Sequence, residues 1–150
     1  MKLLIALFVV ASLVIVDGTV DAGITTRSVE AAGTFLCGKM PAKNVKIVLK
    51  REDTDDLNDI IGRTETDSEG KFRVTGNSER FGGAQSTIDP VLHIYHKCDK
   101  DDAKAFQTFK FRFPRTYTTI GKIPRRQYDI GRINLQIKYP GQTEEKNPIV

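Results

Sequence analysis

Both histidines of the chain, and one of its two cysteines, fall in the stretch TIDPVLHIYHKC, residues 87–98. These side chains ligate transition metals or run nucleophilic catalysis, and their spacing decides what is open to them. Pro90 opens an apolar run that reads as a β-strand. Successive strand side chains alternate between faces, so His93 and His96, an odd number apart, point to opposite faces and cannot grip one ion. His96 and Cys98 share a face, yet zinc needs three or four ligands and no further histidine exists to complete a set. A nucleophilic Cys98/His96 pair needs an oriented base and a reduced thiol, and the export signal described next argues against the thiol. The stretch is therefore expected to be a buried strand, residues 91–97, whose aromatic and imidazole groups find internal hydrogen-bond partners. No catalytic residue, metal site or cofactor is assigned.

Met1 and Lys2 lead into LLIALFVVASLVIV, residues 3–16, an uncharged run too short to span a membrane but suited to a secretory leader. Val16 and Gly18 supply the small residues of a cleavage site. Residues 1–18 thus read as a signal peptide, with cleavage after Ala22 as the alternative. The mature protein is expected to be secreted and extracellular, with no transmembrane segment. The formal net charge of +4 survives that cleavage, which removes one lysine and one aspartate. Such a balance favours anionic partners, and outside a cell these are acidic glycans, anionic lipid or a cell-surface protein rather than nucleic acid. In an oxidising compartment a Cys37–Cys98 disulfide would close a long loop and contribute about 4 kcal/mol, with free thiols or pairing between chains as alternatives.

Period-two alternation runs through the remainder, and helical periodicity is scarce. Strands are expected over SVEAAGTFLC (28–37), VKIVLKR (45–51), residues 61–66, KFRVTG (71–76), residues 91–97, QTFKFRFP (107–114) and GRINLQIKY (131–139). Val45, Ile47 and Leu49 share a core face in the second. Phe109, Phe111 and Phe113 do so in the sixth, opposite Lys110 and Arg112, and Ile133, Leu135 and Ile137 in the seventh. DSEGKF, with Gly70 free to take positive φ, reads as a hairpin turn joining the third and fourth strands. NSERFGGAQSTIDP reads as a connection that crosses between sheets. About seven such strands make a two-sheet antiparallel sandwich the natural way to bury these faces.

Two charged segments remain. REDTDDLND, residues 51–59, fails the calcium-loop pattern, since Leu57, Asn58 and Thr64 occupy ligand or glycine positions of a loop begun at Asp53, and it reads as a solvated loop with a turn capped by Thr54. Residues 104–126 carry Lys104, Lys110, Arg112, Arg115, Lys122, Arg125 and Arg126 with no acidic residue among them. The last six of these are the candidate ligand-binding residues, a local positive field for an anionic surface with Tyr117 and Ile120 as apolar contacts.

The segments AGTFLCGKMPAKNVKIVLKREDTDDLNDIIGRTETDSEGKFRVTGNSE, TIDPVLHIYHKC, IGKIPRRQYDIGRINL and YPG resemble, in order and spacing, the nematode transthyretin-like family over nearly the whole mature chain. That resemblance implies a secreted transthyretin/prealbumin-like antiparallel β-sandwich over residues 24–140, followed by a flexible tail, residues 141–150. Many relatives carry a further cysteine shortly after the YH.C segment. Here DKDDAKAFQTFKF has none, which leaves Cys98 to pair with Cys37 or stay free. The hydroxyisourate hydrolases of the same fold use a His/Arg/His cluster and a YRGS terminus, both missing here. The expected function is a non-enzymatic extracellular binding protein that docks a cell-surface or anionic partner. The alternative is a carrier of a small apolar ligand, lipid or hormone-like, which requires a pocket between subunits or sheets.

Overall fold

The structure, a computed structural model, describes residues 25–82, 86–100 and 103–148; residues 1–18, read as a signal peptide, lie outside the described residues. Among the described residues ten strands occur in the order β1 (Arg27–Cys37), β2 (Met40–Pro41), β3 (Lys46–Lys50), β4 (Ile60–Glu65), β5 (Lys71–Asn77), β6 (Val91–His96), β7 (Phe106–Arg112), β8 (Thr119–Ile120), β9 (Gln127–Asn134) and β10 (Thr143–Glu145). Seven have five residues or more and answer to the seven read from alternation; β2, β8 and β10 are pairings of two or three residues, too short to show a period. One sheet runs β10-β7-β6-β3-β4, and the other is built around β1, flanked by β5 and β9 and extended by β2 and β8. The two form a β-sandwich, as expected.

Three features depart from expectation. The residues 67–70 turn forms, with Asp67 N–H donating to Lys71 O at 2.9 Å and Gly70 at φ +74°. It does not make a hairpin, because β4 pairs with β3 whereas β5 pairs with β1. Each end of the turn is held by a different sheet: Thr66 N–H donates to Val45 O at 3.0 Å, and Gly70 O accepts from Phe35 N–H at 2.8 Å. Second, β9 runs parallel to β1 in an otherwise antiparallel structure. The connection after β7 returns the chain to the start of β1, where β8 pairs with Arg27 and Ser28, so β9 enters at the same end as β1. Third, β9 starts at Gln127 and stops at Asn134, since its partner β1 ends at Cys37. Leu135 is buried, but Ile137, expected inward, is 58% exposed.

The segment read as a tail contributes β10, which pairs with β7 at Thr143↔Thr108 and Glu145↔Phe106, with Lys100 Nζ 2.6 Å from Glu144 holding it. Between the sheets lie Val29, Phe35, Ile47, Leu49, Val74, Leu92, Ile94 and Phe109. Phe35 stacks on Phe72 at 5.3 Å.

The turn at Gly70 admits no side chain. A Cβ there would lie 2.3 Å from Phe35 O, whereas one on Gly141, at the similar φ of +73°, would meet nothing. Gly70→Ala is expected to cost about 2 kcal/mol or more, for left-handed backbone plus a forced shift of the β1 carbonyl. Gly141→Ala should cost about 1 kcal/mol, for the backbone alone. Urea denaturation midpoints of the two variants check the difference.

Candidate functional site

The outer face of the β10-β7-β6-β3-β4 sheet carries cross-strand neighbours Val48, His93 and Lys110 in one row, and Lys50, Val91 and Arg112 in the next. A lysine and two basic neighbours on a sheet face would normally be wet. Here the acidic loop after β3 folds over them. Arg51, 8% exposed, donates to Asp59 Oδ1 through Nε at 3.0 Å and Nη2 at 2.7 Å, and Lys50 Nζ reaches Thr54 O. A 3-10 turn over Leu57–Asp59 is capped by Asp56, whose carboxylate accepts from Asn58 N–H at 2.8 Å. Thr54, expected as the cap, instead accepts from Asp56 N–H. The loop covers that face through Arg51, Asp53 and Asp59, while residues 55–58 at its tip are exposed, as expected of a solvated loop.

Asp53 stands at the centre of that cover. Its carboxylate accepts from Lys110 Nζ at 2.6 Å and from Arg112 Nη2 at 2.7 Å, and lies 3.7 Å from His93 Nε2. The Lys110 hydrogen bond, then that of Arg112, acting against burial, holds the Asp53 carboxyl below the usual range. Asp89 takes Arg115 Nε at 3.1 Å and Arg112 Nη1 at 3.5 Å, and the Arg115 contact lowers it likewise. The positive field read from residues 104–126 is therefore balanced, over Lys110, Arg112 and Arg115, by aspartates from distant parts of the chain.

The other candidate residues sit elsewhere. Lys122 pairs with Glu79. Arg125 and Arg126 have no carboxylate within ion-pair distance among the described residues; Arg126 Nη1 donates to Thr116 O at 3.3 Å, and Arg125 N–H to Thr119 Oγ1 at 3.3 Å. In the same short connection Ile120 is 61% exposed and Ile123 is 78% exposed. Tyr117, expected as a surface contact, is packed edge-on to Tyr128 at 4.6 Å. The six residues thus divide into Lys110, Arg112 and Arg115, ion-paired to Asp53 and Asp89, and Lys122, Arg125 and Arg126, close in sequence to two exposed isoleucines. Ile123 is what alternation could not find, because it lies between strands; its signal was an isoleucine beside Pro124 with lysine and arginines on either side.

The histidines lie on opposite faces of β6 as read. His93 is under the acidic cover, and His96 faces the core, edge-on to Phe109 at 6.0 Å. Burial, with Lys50 and Lys110 nearby, lowers His93 to about 4, and burial lowers His96 to about 4. His96 Nδ1 accepts from Cys98 N–H at 3.3 Å, but among the described residues Nε2 of each histidine has no hydrogen-bond partner, so the expected internal pairing is met only in part. Cys37 and Cys98 form a disulfide. Among the described residues the one grouping with metal-ligand spacing is Cys37, Cys98 and Asp99, whose sulfurs are bonded to each other.

Comparison with known proteins agrees with this architecture. Residues 32–114 match the transthyretin-like family. Transthyretin-like protein 33 of Caenorhabditis elegans is 32% identical over 137 residues, covering 91% of this chain and 93% of the relative. Transthyretin-like protein 5 of that nematode is 32% identical, covering 95% and 96%, and transthyretin-like protein 46 is 34% identical, covering 83% and 68%.

Proposed function

The chain belongs to the transthyretin-like family, and on that premise we propose that it is a secreted, non-enzymatic binding protein that docks on an anionic cell surface. The observation that carries this reading is the connection from β8 to β9, where Ile120 and Ile123 stand bare beside Lys122, Arg125 and Arg126. Apolar side chains flanked by cations suit the boundary of an anionic lipid layer, into which the isoleucines dip while the arginines meet head groups. Lys110, Arg112 and Arg115, matched by Asp53 and Asp89, have less charge to offer. Secretion is supported by the apolar residues 3–16 and by the disulfide. A non-catalytic role is supported by the histidines, which are buried on opposite faces and held neutral, and by cysteines bonded to each other.

Sedimentation with phosphatidylglycerol vesicles across a salt series tests the reading. Binding is expected to weaken with salt, to be far weaker on phosphatidylcholine, and to fall at least about 30-fold in Arg125→Glu/Arg126→Glu, since losing the arginines alone removes about 1 kcal/mol each and the glutamates add repulsion. Ile120→Ser/Ile123→Ser should weaken it at every salt concentration, and Lys110→Glu/Arg112→Glu should have the smaller effect. Equal binding to both lipids, or no binding at low salt, overturns the reading, and retention on heparin alone would point to a glycan.

A further inference from the structure

At the disulfide end of the sandwich, where the inter-sheet core meets the outer face of the β10-β7-β6-β3-β4 sheet, lies a cleft of about 500 Å³. That volume lies within the range of small-ligand sites, about 300–1,000 Å³. Ala42, Val45, Leu135 and Phe106 line it with apolar surface, and the Cys37–Cys98 bridge joins its two sides by linking the end of β1 to the residue two beyond β6. His96, 2% exposed, also lines it, with Nδ1 already engaged by Cys98 N–H.

The polar groups at this cleft are cationic. Lys43, Lys46 and Lys97 contribute to its lining, and the Lys46 and Lys97 ammoniums lie over the ring of Phe106 at 5.6 Å and 4.7 Å from its centre. None of the three has a carboxylate within ion-pair distance among the described residues. Glu65, across the ladder from Lys46, and Glu145, across from Phe106, do not reach them. Two ammoniums held at one ring repel each other, and the ring's electron density offsets only part of that repulsion. An anion placed between them would gain from both. On the same sheet, by contrast, Lys110 and Arg112 converge on a carboxylate of the chain itself, Asp53.

We propose that this cleft binds an amphiphilic monocarboxylate, with its aliphatic chain against Val45, Phe106 and Leu135 and its carboxylate between Lys46 and Lys97. The ligand class follows from the lining: an apolar floor takes a hydrocarbon, and a pair of unmatched ammoniums at one place takes a single negative head. The site is separate in composition from the β8–β9 loop and does not depend on surface docking.

Calorimetric titration of the purified, delipidated protein with oleate, methyl oleate and oleylammonium, each below its micelle concentration, tests the proposal. One oleate per chain is expected, with methyl oleate at least tenfold weaker and oleylammonium without measurable binding. Lys46→Met/Lys97→Met should lose at least tenfold in oleate affinity with an unchanged circular dichroism spectrum, and Lys46→Arg/Lys97→Arg should retain it. Arg125→Glu/Arg126→Glu should bind oleate as the parent does, which separates this site from the vesicle contact. Equal affinity for oleate and methyl oleate, undiminished oleate binding in the methionine variant, or no binding of oleate overturns the proposal.

Discussion

Replacing Cys37 and Cys98 together by alanine is expected to lower the stability of the folded chain by about 4 kcal/mol. The bridge spans 61 residues of sequence, and the magnitude follows from the freedom such a loop regains in the unfolded chain once the crosslink is gone. Its position adds a reason for the full effect to be seen. Cys37 ends β1 in one sheet and Cys98 follows β6 in the other, so the bond ties the sheets where the apolar packing gives way to the cleft. A loss of this size is a large part of the 5–15 kcal/mol by which domains are stable. Urea denaturation of the double variant, beside the parent with and without a thiol reductant, measures it. Reduced parent and double variant should coincide, and a loss under 1 kcal/mol would mean that the sheets hold each other without the bond.

How much of this fold was legible follows the range of the interactions involved. The faces of β3, β6 and β7 were readable because alternation is local: Ile47 and Leu49, then Phe109 and Phe113, are buried where the period placed them. The turn at Asp67–Gly70 was readable for the same reason. That the two strands it joins do not pair with each other was not, since β5 pairs with β1 and β4 with β3 across separations that no local pattern records. The direction of β9 was hidden likewise, being set by where the chain re-enters the sheet. Ile137 shows the cost of trusting alternation past the end of a partner strand.

The site was legible in part. Residues 104–126 contain no acid, and the inference of a bare positive field treated charge along the chain as charge in space. The cover that neutralises it comes from residues 51–59 and 89, and it folds there because Lys50, His93, Lys110 and Arg112 share one sheet face. Both ingredients were in the sequence, an acidic run after one strand and alternate cations on another, and complementary charge would have paired them. Ile120 was legible as an apolar contact beside the cations, whereas Ile123 and the lysine pair over Phe106 depend on loop placement and on β6 lying beside β7, so they had no periodic signature.

Acidification from pH 7 to pH 4 is expected to remove about 3 kcal/mol of stability for each of the two histidines. Each has a folded value of about 4, against 6.5 for an exposed imidazole. Between those values the unfolded chain binds a proton that the native protein refuses, so lowering the pH favours unfolding. The loss begins near pH 6.5 and is complete near pH 4, at about 1.4 kcal/mol per unit for each group. Asp53 and Asp89, held low by Lys110, Arg112 and Arg115, act in a different window. Their contribution is present above the ordinary carboxyl value of 3.8 and falls away only below it, as they become protonated in the folded state. Two stages should therefore be seen in stability against pH. The first belongs to the imidazoles: His93, facing Lys50, Lys110, Asp53 and Asp55, and His96, facing the core with Asp99 as its nearest charge. His93→Gln and His96→Gln should each halve the slope between pH 6.5 and pH 4, whatever they do to stability at pH 7, and the double variant should flatten it. Denaturation midpoints read at pH 7, 5.5 and 4.5 give that slope. A parent protein equally stable at pH 7 and pH 4.5 would show that the imidazoles protonate in place, with Asp53 accepting from His93 and water reaching His96.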